Sequence, residues 1–209
     1  MDSLFLLNEG ELDLLKEIAN IGAGHAASAL SQLIGQVVEM KVPSVKVSRF
    51  SDWLSDHEAE MTVACAYIHM SGDLNGHFYL SFPLEETRQL LKAMLASRDV
   101  NMEALGFPSL ETSAFGEVGN ILAGSYLASL SDFTHLNIQT SPPTVLVDMA
   151  GAILGEGLLD LSLYGEEVLV IDCELTNLAE SGPIRSTFTF LPLAEDLAKL
   201  LALLGVQDG

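Results

Sequence analysis

Two short stripes of side chains carry the residue types that could do chemistry. Asp13, Glu17, Asn20 and Gly24 fall at i, i+4, i+7 and i+11, so a helix through them puts all four on one face. Ser113, Glu117, Asn120 and Gly124 repeat that spacing one hundred residues later. A carboxylate one turn from a carboxamide has a specific use. The amide both donates and accepts hydrogen bonds, so it can hold a water in line for attack. Positioning of that kind is a large part of what phosphoryl transfer asks of a protein, and an amide serves this role in small GTPases. The carboxylate can grip a cation on a phosphorylated partner. The glycine one turn beyond lets another surface come close. The opposing reading is a solvated face whose matching residues are relics of a duplication. Against it, an exposed face without a task drifts, yet Glu and Asn persist in both copies.

Other chemistries find little support. No nucleophile stands beside an oriented base. The five histidines are scattered with neither HxxxH nor HxH spacing, so no metal site is expected. Gly22-Ala23-Gly24 is not a phosphate loop, because GxxxxGK[ST] is absent; small residues there permit close helix packing. Cys65 and Cys173 lie in apolar, strand-like runs without CxxC spacing and read as buried free thiols in a reducing cytoplasm.

The elements that must position the stripes also come in pairs. The ungapped match from Glu11 and Glu111 runs on to Leu30-Ser31 and Leu130-Ser131, then to Pro43 and Pro143. Phe82-Pro83-Leu84-Glu85-Glu86 is echoed by Leu191-Pro192-Leu193-Ala194-Glu195. The 209 residues therefore read as one domain built of two homologous halves, about 8–98 and 108–205, joined through a polar, Gly/Pro-punctuated segment. Each half predicts a long helix (10–34 and 111–132), with Leu15, Ile18, Gly22, Ala26, Ala29 and Leu33 as the core-facing stripe of the first. Strands are expected over Val37–Val47, Met61–Met70 and His77–Phe82, and over Leu136–Val147, Gly157–Cys173 and Arg185–Phe190. Ser71–Gly76 reads as a hairpin turn. Amphipathic helices close the halves over Leu84–Ser97 and Leu193–Leu204, with acidic residues in their first turns where the helix dipole favours them. The order α-β-β-β-α, twice, predicts an α+β fold with a mostly antiparallel central sheet.

Charge narrows the partners. Apolar residues make up 49% and charged ones 18%, a globular composition. Nine Lys+Arg against 29 Asp+Glu leave a net charge of −20, and no Lys or Arg occurs between Arg98 and Arg185. Duplex binding and attachment to an anionic leaflet both need clustered cations, so neither is expected. No uninterrupted apolar span calls for a membrane helix, and Met1-Asp2-Ser3-Leu4 lacks the basic start of a signal peptide.

The pattern Asp13-x3-Glu17-x2-Asn20-x22-Pro43, met again as Ser113-x3-Glu117-x2-Asn120-x22-Pro143, resembles the signature of the CheC/CheX/FliY family of chemotaxis phosphatases. Two centres in one chain resemble the CheC branch. CheX-type members carry one centre per shorter chain. FliY-type members add segments, including a C-terminal switch domain, without counterpart in this sequence; Met1–Asn8 is too brief for their receiver-binding peptide. The resemblance implies a pseudo-two-fold fold with both motif-bearing helices on one side of the sheet. It implies hydrolysis of the aspartyl phosphate of a CheY-type receiver, with Glu17 and Glu117 pairing with the receiver's lysine. Asn20 and Asn120 would orient the water. The Mg²⁺ of that reaction belongs to the receiver, so no cofactor of the chain's own is implied. Asp13 and Ser113 take the variable first position of the motif. Pro43 and Pro143 are expected to be structural, ending the approach to a strand. The resemblance further implies binding of the receptor deamidase CheD, with Asp148 at the matching position; as a bare residue it reads equally as a strand-end or cap aspartate. The alternative function is a non-catalytic adaptor that sequesters CheD or a receiver.

Overall fold

The computed structural model describes residues 9–54, 57–97, 99–157, 167–178 and 182–203. Small and aliphatic residues at helical spacing build the first long helix, α1 (Glu9–Ile34), whose buried face is Leu15, Ile18, Ala19, Ala23, Ala26, Ala27 and Leu30. Strand β1 (Glu39–Arg49) follows, then a one-turn helix α2 (Phe50–Leu54), the hairpin β2 (Thr62–Gly72) and β3 (Gly76–Pro83), and α3 (Leu84–Leu95). The remaining chain gives α4 (Leu110–Thr134), the short strands β4 (Ile138–Thr140) and β5 (Thr144–Met149), and α5 (Ala150–Gly157). It ends in β6 (Glu167–Thr176), β7 (Ile184–Pro192) and α6 (Ala194–Leu203). No helix among the described residues is long and apolar enough to cross a membrane.

All seven strands join one sheet in the order β1-β6-β7-β3-β2-β4, with β5 also on β2, and every pairing is antiparallel. This is the expected α+β architecture. The first strand after each long helix pairs with a strand from beyond the joint: β1 with β6, and β4 with β2. Strands β3 and β7 meet in the middle through Phe78–Phe190 and Leu80–Phe188. Residue alternation separates two cores. Phe78, Leu80 and Phe82 point to the face covered by α1, α3 and α4. Tyr79 and Leu191 point to the other, under Phe50, Trp53, Ile153 and Leu154. Both long helices therefore lie on one side of the sheet.

Several expectations need correction. Leu33 is exposed and Ala29 only half-buried, because the buried stripe of α1 passes through Ala26, Ala27 and Leu30 instead. The segment 136–147 is not one strand: Pro142 and Pro143 cannot both feed a ladder, and it divides into β4 and β5. The strand expected over Gly157–Cys173 begins at Glu167; Gly157 ends α5, and residues 158–166 lie outside the described residues. Pro43 sits inside β1, at a register break, and not ahead of it.

Candidate functional site

Helices α1 and α4 carry the two polar stripes, and they cross closely. A Cβ on Gly22 would lie 3.0 Å from Tyr126 Cα and 3.3 Å from the Ser125 carbonyl oxygen, so glycine is what admits α4 to that distance. Gly119 plays the same part toward the sheet, where a Cβ would collide with that of Ala66 on β2. The helix-weakening Gly119 of α4 thus has a packing reason. Capping offsets part of its cost. Ser109 accepts a hydrogen bond from the Thr112 N–H at 3.1 Å, worth about 1 kcal/mol, and Glu111 Oε1 accepts from the Asn101 N–H.

On the outer faces, Asp13, Glu17 and Gly24 are exposed and Asn20 is half-buried; Ser113, Glu117, Asn120 and Gly124 are all exposed. A Cβ on Gly24 or Gly124 would meet no atom within 4 Å, so the surface beyond each asparagine is open. Ser113 Oγ is turned back to donate to the Ser109 carbonyl at 2.9 Å.

The asparagines are held differently. The Val42 N–H donates to Asn20 Oδ1 at 3.1 Å. That donor is free of the sheet because β1 bulges between Lys41 and Ser44, where Val42 and Pro43 together face one residue of β6. Asn120 instead borders a groove of about 590 Å³ between the start of α4 and the β4–β5 link, lined by Glu117, Ser113, Thr112, Thr140, Pro142 and Pro143 among others. Phe107 and Leu110 stand exposed beside the start of α4. Both prolines of the motif therefore lie on the chain that backs the asparagines. The sequence singled out Pro43 and Pro143 but missed Val42 and the groove wall; the equal separation of Asn and Pro in the two copies was the available signal.

Asp148 lies exposed on β5, where its Oδ1 accepts from the Met149 N–H at 2.7 Å. The thiols of Cys65 and Cys173 are buried, and burial pushes that of Cys65 up to about 12 and that of Cys173 further still. Neither thiol is poised as a nucleophile. Among the described residues, no three His, Cys, Asp or Glu side chains converge as a metal site would require. The site therefore offers carboxylates and amides on two exposed helix faces, a set suited to orienting a small molecule on a partner.

A family model described as the CheC-like family matches residues 11–47 and 110–147, the segments holding both Glu–Asn pairs. The CheY-P phosphatase CheC of Bacillus subtilis (strain 168) is 36% identical over 202 residues, 96% of this chain and 97% of that protein. The flagellar motor switch phosphatase FliY of the same organism is 33% identical over 143 residues, 66% of this chain and 36% of that protein. The crystal structure of Thermotoga maritima FliY superposes with a TM-score of 0.73 at 22% identity, covering 96% of this chain and 98% of that one. At that identity the likeness speaks to the fold.

Proposed function

The chain belongs to the CheC-like family, and from that premise we propose that it hydrolyses the aspartyl phosphate of a phosphorylated CheY-type receiver. The observation that carries this reading is the pair of Glu–Asn stripes, Glu17/Asn20 and Glu117/Asn120, on the outer faces of two helices on one side of the sheet, with open surface beyond each asparagine. Each centre lacks a nucleophile of its own, so the chemistry takes place in the receiver's pocket. The glutamate meets the receiver's lysine, and the asparagine enters the pocket and fixes a water behind the phosphorus. The water oxygen forms a new P–O bond as the bond to the aspartyl oxygen breaks; inorganic phosphate and a free carboxylate result. The divalent ion that neutralises the developing charge comes with the receiver and is part of the substrate. Asp13 and Ser113 flank the centres, and Pro43 and Pro143 shape the chain behind them. The chain works as one duplicated domain in the cytoplasm.

Phosphate release from a phosphorylated CheY-type receiver tests the reading. The chain should accelerate it well above the receiver's own decay, and Asn20→Ala with Asn120→Ala should abolish the acceleration. Full acceleration by that double variant would refute the water-orienting role. Tight receiver binding without turnover would instead make the chain a sequestering adaptor.

CheD is the second partner in this reading, docking at Asp148. The exposed carboxylate on an outer strand supports it. Capture of purified CheD should weaken in Asp148→Ala while phosphate release persists; unchanged capture would remove Asp148 from the contact.

A further inference from the structure

We propose that the main-chain N–H of Val42 is the positioning group of the first centre, and that the second centre lacks its counterpart because Pro142 stands at the matching place. This deepens the receiver-phosphatase reading and rests on it. The copies correspond without a gap from Glu17/Glu117 through Asn20/Asn120 to Pro43/Pro143, which sets Val42 against Pro142. Proline has no N–H to give. In the first centre the β1 bulge releases the Val42 N–H from the ladder, and Asn20 Oδ1 takes it at 3.1 Å. A main-chain N–H can only donate, so the atom facing it is the amide oxygen, and the NH₂ group must point outward. The oxygen keeps a second lone pair. Asn20 thus presents a donor and an acceptor in one fixed orientation, half-buried against its own strand.

Asn120 is exposed, and no hydrogen bond reaches its side chain among the described residues. The neighbouring Ser141 N–H is spent on the His69 carbonyl at 2.9 Å. Each receiver that docks at the second centre must therefore order Asn120 itself. Fixing one such side chain corresponds to roughly a two- to tenfold difference in rate.

Single-centre proteins read this out directly. Asn120→Ala, which leaves only the first centre, should release phosphate with a kcat about two- to tenfold above that of Asn20→Ala, at similar KM. In the Asn20→Ala protein, Pro142→Val supplies the missing N–H and should raise kcat by a similar factor, with KM little changed. Hydrogen exchange at the Val42 amide reports the hold without any assay of activity: slow in the parent and in Asn120→Ala, fast in Asn20→Ala. Fast exchange in the parent overturns the proposal, as does a kcat that ignores Pro142→Val. If no protein turns over phosphate but Val42 exchange still responds to Asn20→Ala, the hold stands and the phosphatase reading falls.

Discussion

One backbone hydrogen separates two otherwise matching asparagines, and glycines close to them separate function from packing. Gly119→Ala would drive a methyl into Ala66, and denaturant midpoints should show a loss of about 1–3 kcal/mol. Gly24→Ala meets open space on a solvent-facing turn, so the same measurement should show a gain of about 0.5–1 kcal/mol from helix propensity alone. A larger side chain there, as in Gly24→Leu, should keep the stability and raise the KM for a phosphorylated receiver, because the approach to Asn20 is narrowed. An unchanged KM would mean that this glycine serves no docking role. The Glu–Asn pairs were legible in the sequence because spacing on a helix face survives translation into three dimensions. The Val42 contact was not, since it depends on a bulge whose cause is a register break with a strand more than a hundred residues away.

Among the elements, the β2–β3 hairpin holds an unusual row of rings. His69 and His77 lie with centroids 5.6 Å apart, and Tyr67 Oη meets His77 Nδ1 at 2.8 Å. Burial first, then the charge of His69, holds His77 below the ordinary histidine range. The unfolded chain therefore binds a proton near pH 6.5 that the folded hairpin resists, and stability falls as pH drops below that value toward the folded pKa. Urea midpoints at pH 7.5 and 5.5 should show this loss, and it should shrink in His77→Gln; equal losses in both proteins would exclude His77 as the source. The long helices and the hairpin were readable from periodicity and turn residues. Helices α2 and α5 were not. Each buries one turn of side chains, Phe50 and Trp53 or Ile153 and Leu154, too short a run to show a period, and α5 is rich in helix-weakening glycine.

Across the whole molecule, a charge of −20 with so few cations leaves the surface field strongly negative. Association with a receiver through its lysine and metal ion should slow as salt is raised past the point where the screening length falls below about 10 Å. Stopped-flow association rates that ignore ionic strength would reduce the charge to a solubility coat. The α+β class and the antiparallel sheet were legible from the order of elements; the strand order was not, because nothing local says that β1 must find β6. That interleaving carries a consequence for how the chain comes into being. Ser44 pairs with Asp172, 128 positions later. At about 5–20 residues per second of synthesis, the first strand waits roughly 6–25 s on the ribosome for its neighbour. Until then its unpaired edge is open to other chains. The nascent first half is thus the stage at which a chaperone matters most, and expression should suffer most from substitutions that make β1 stickier while leaving the finished fold intact.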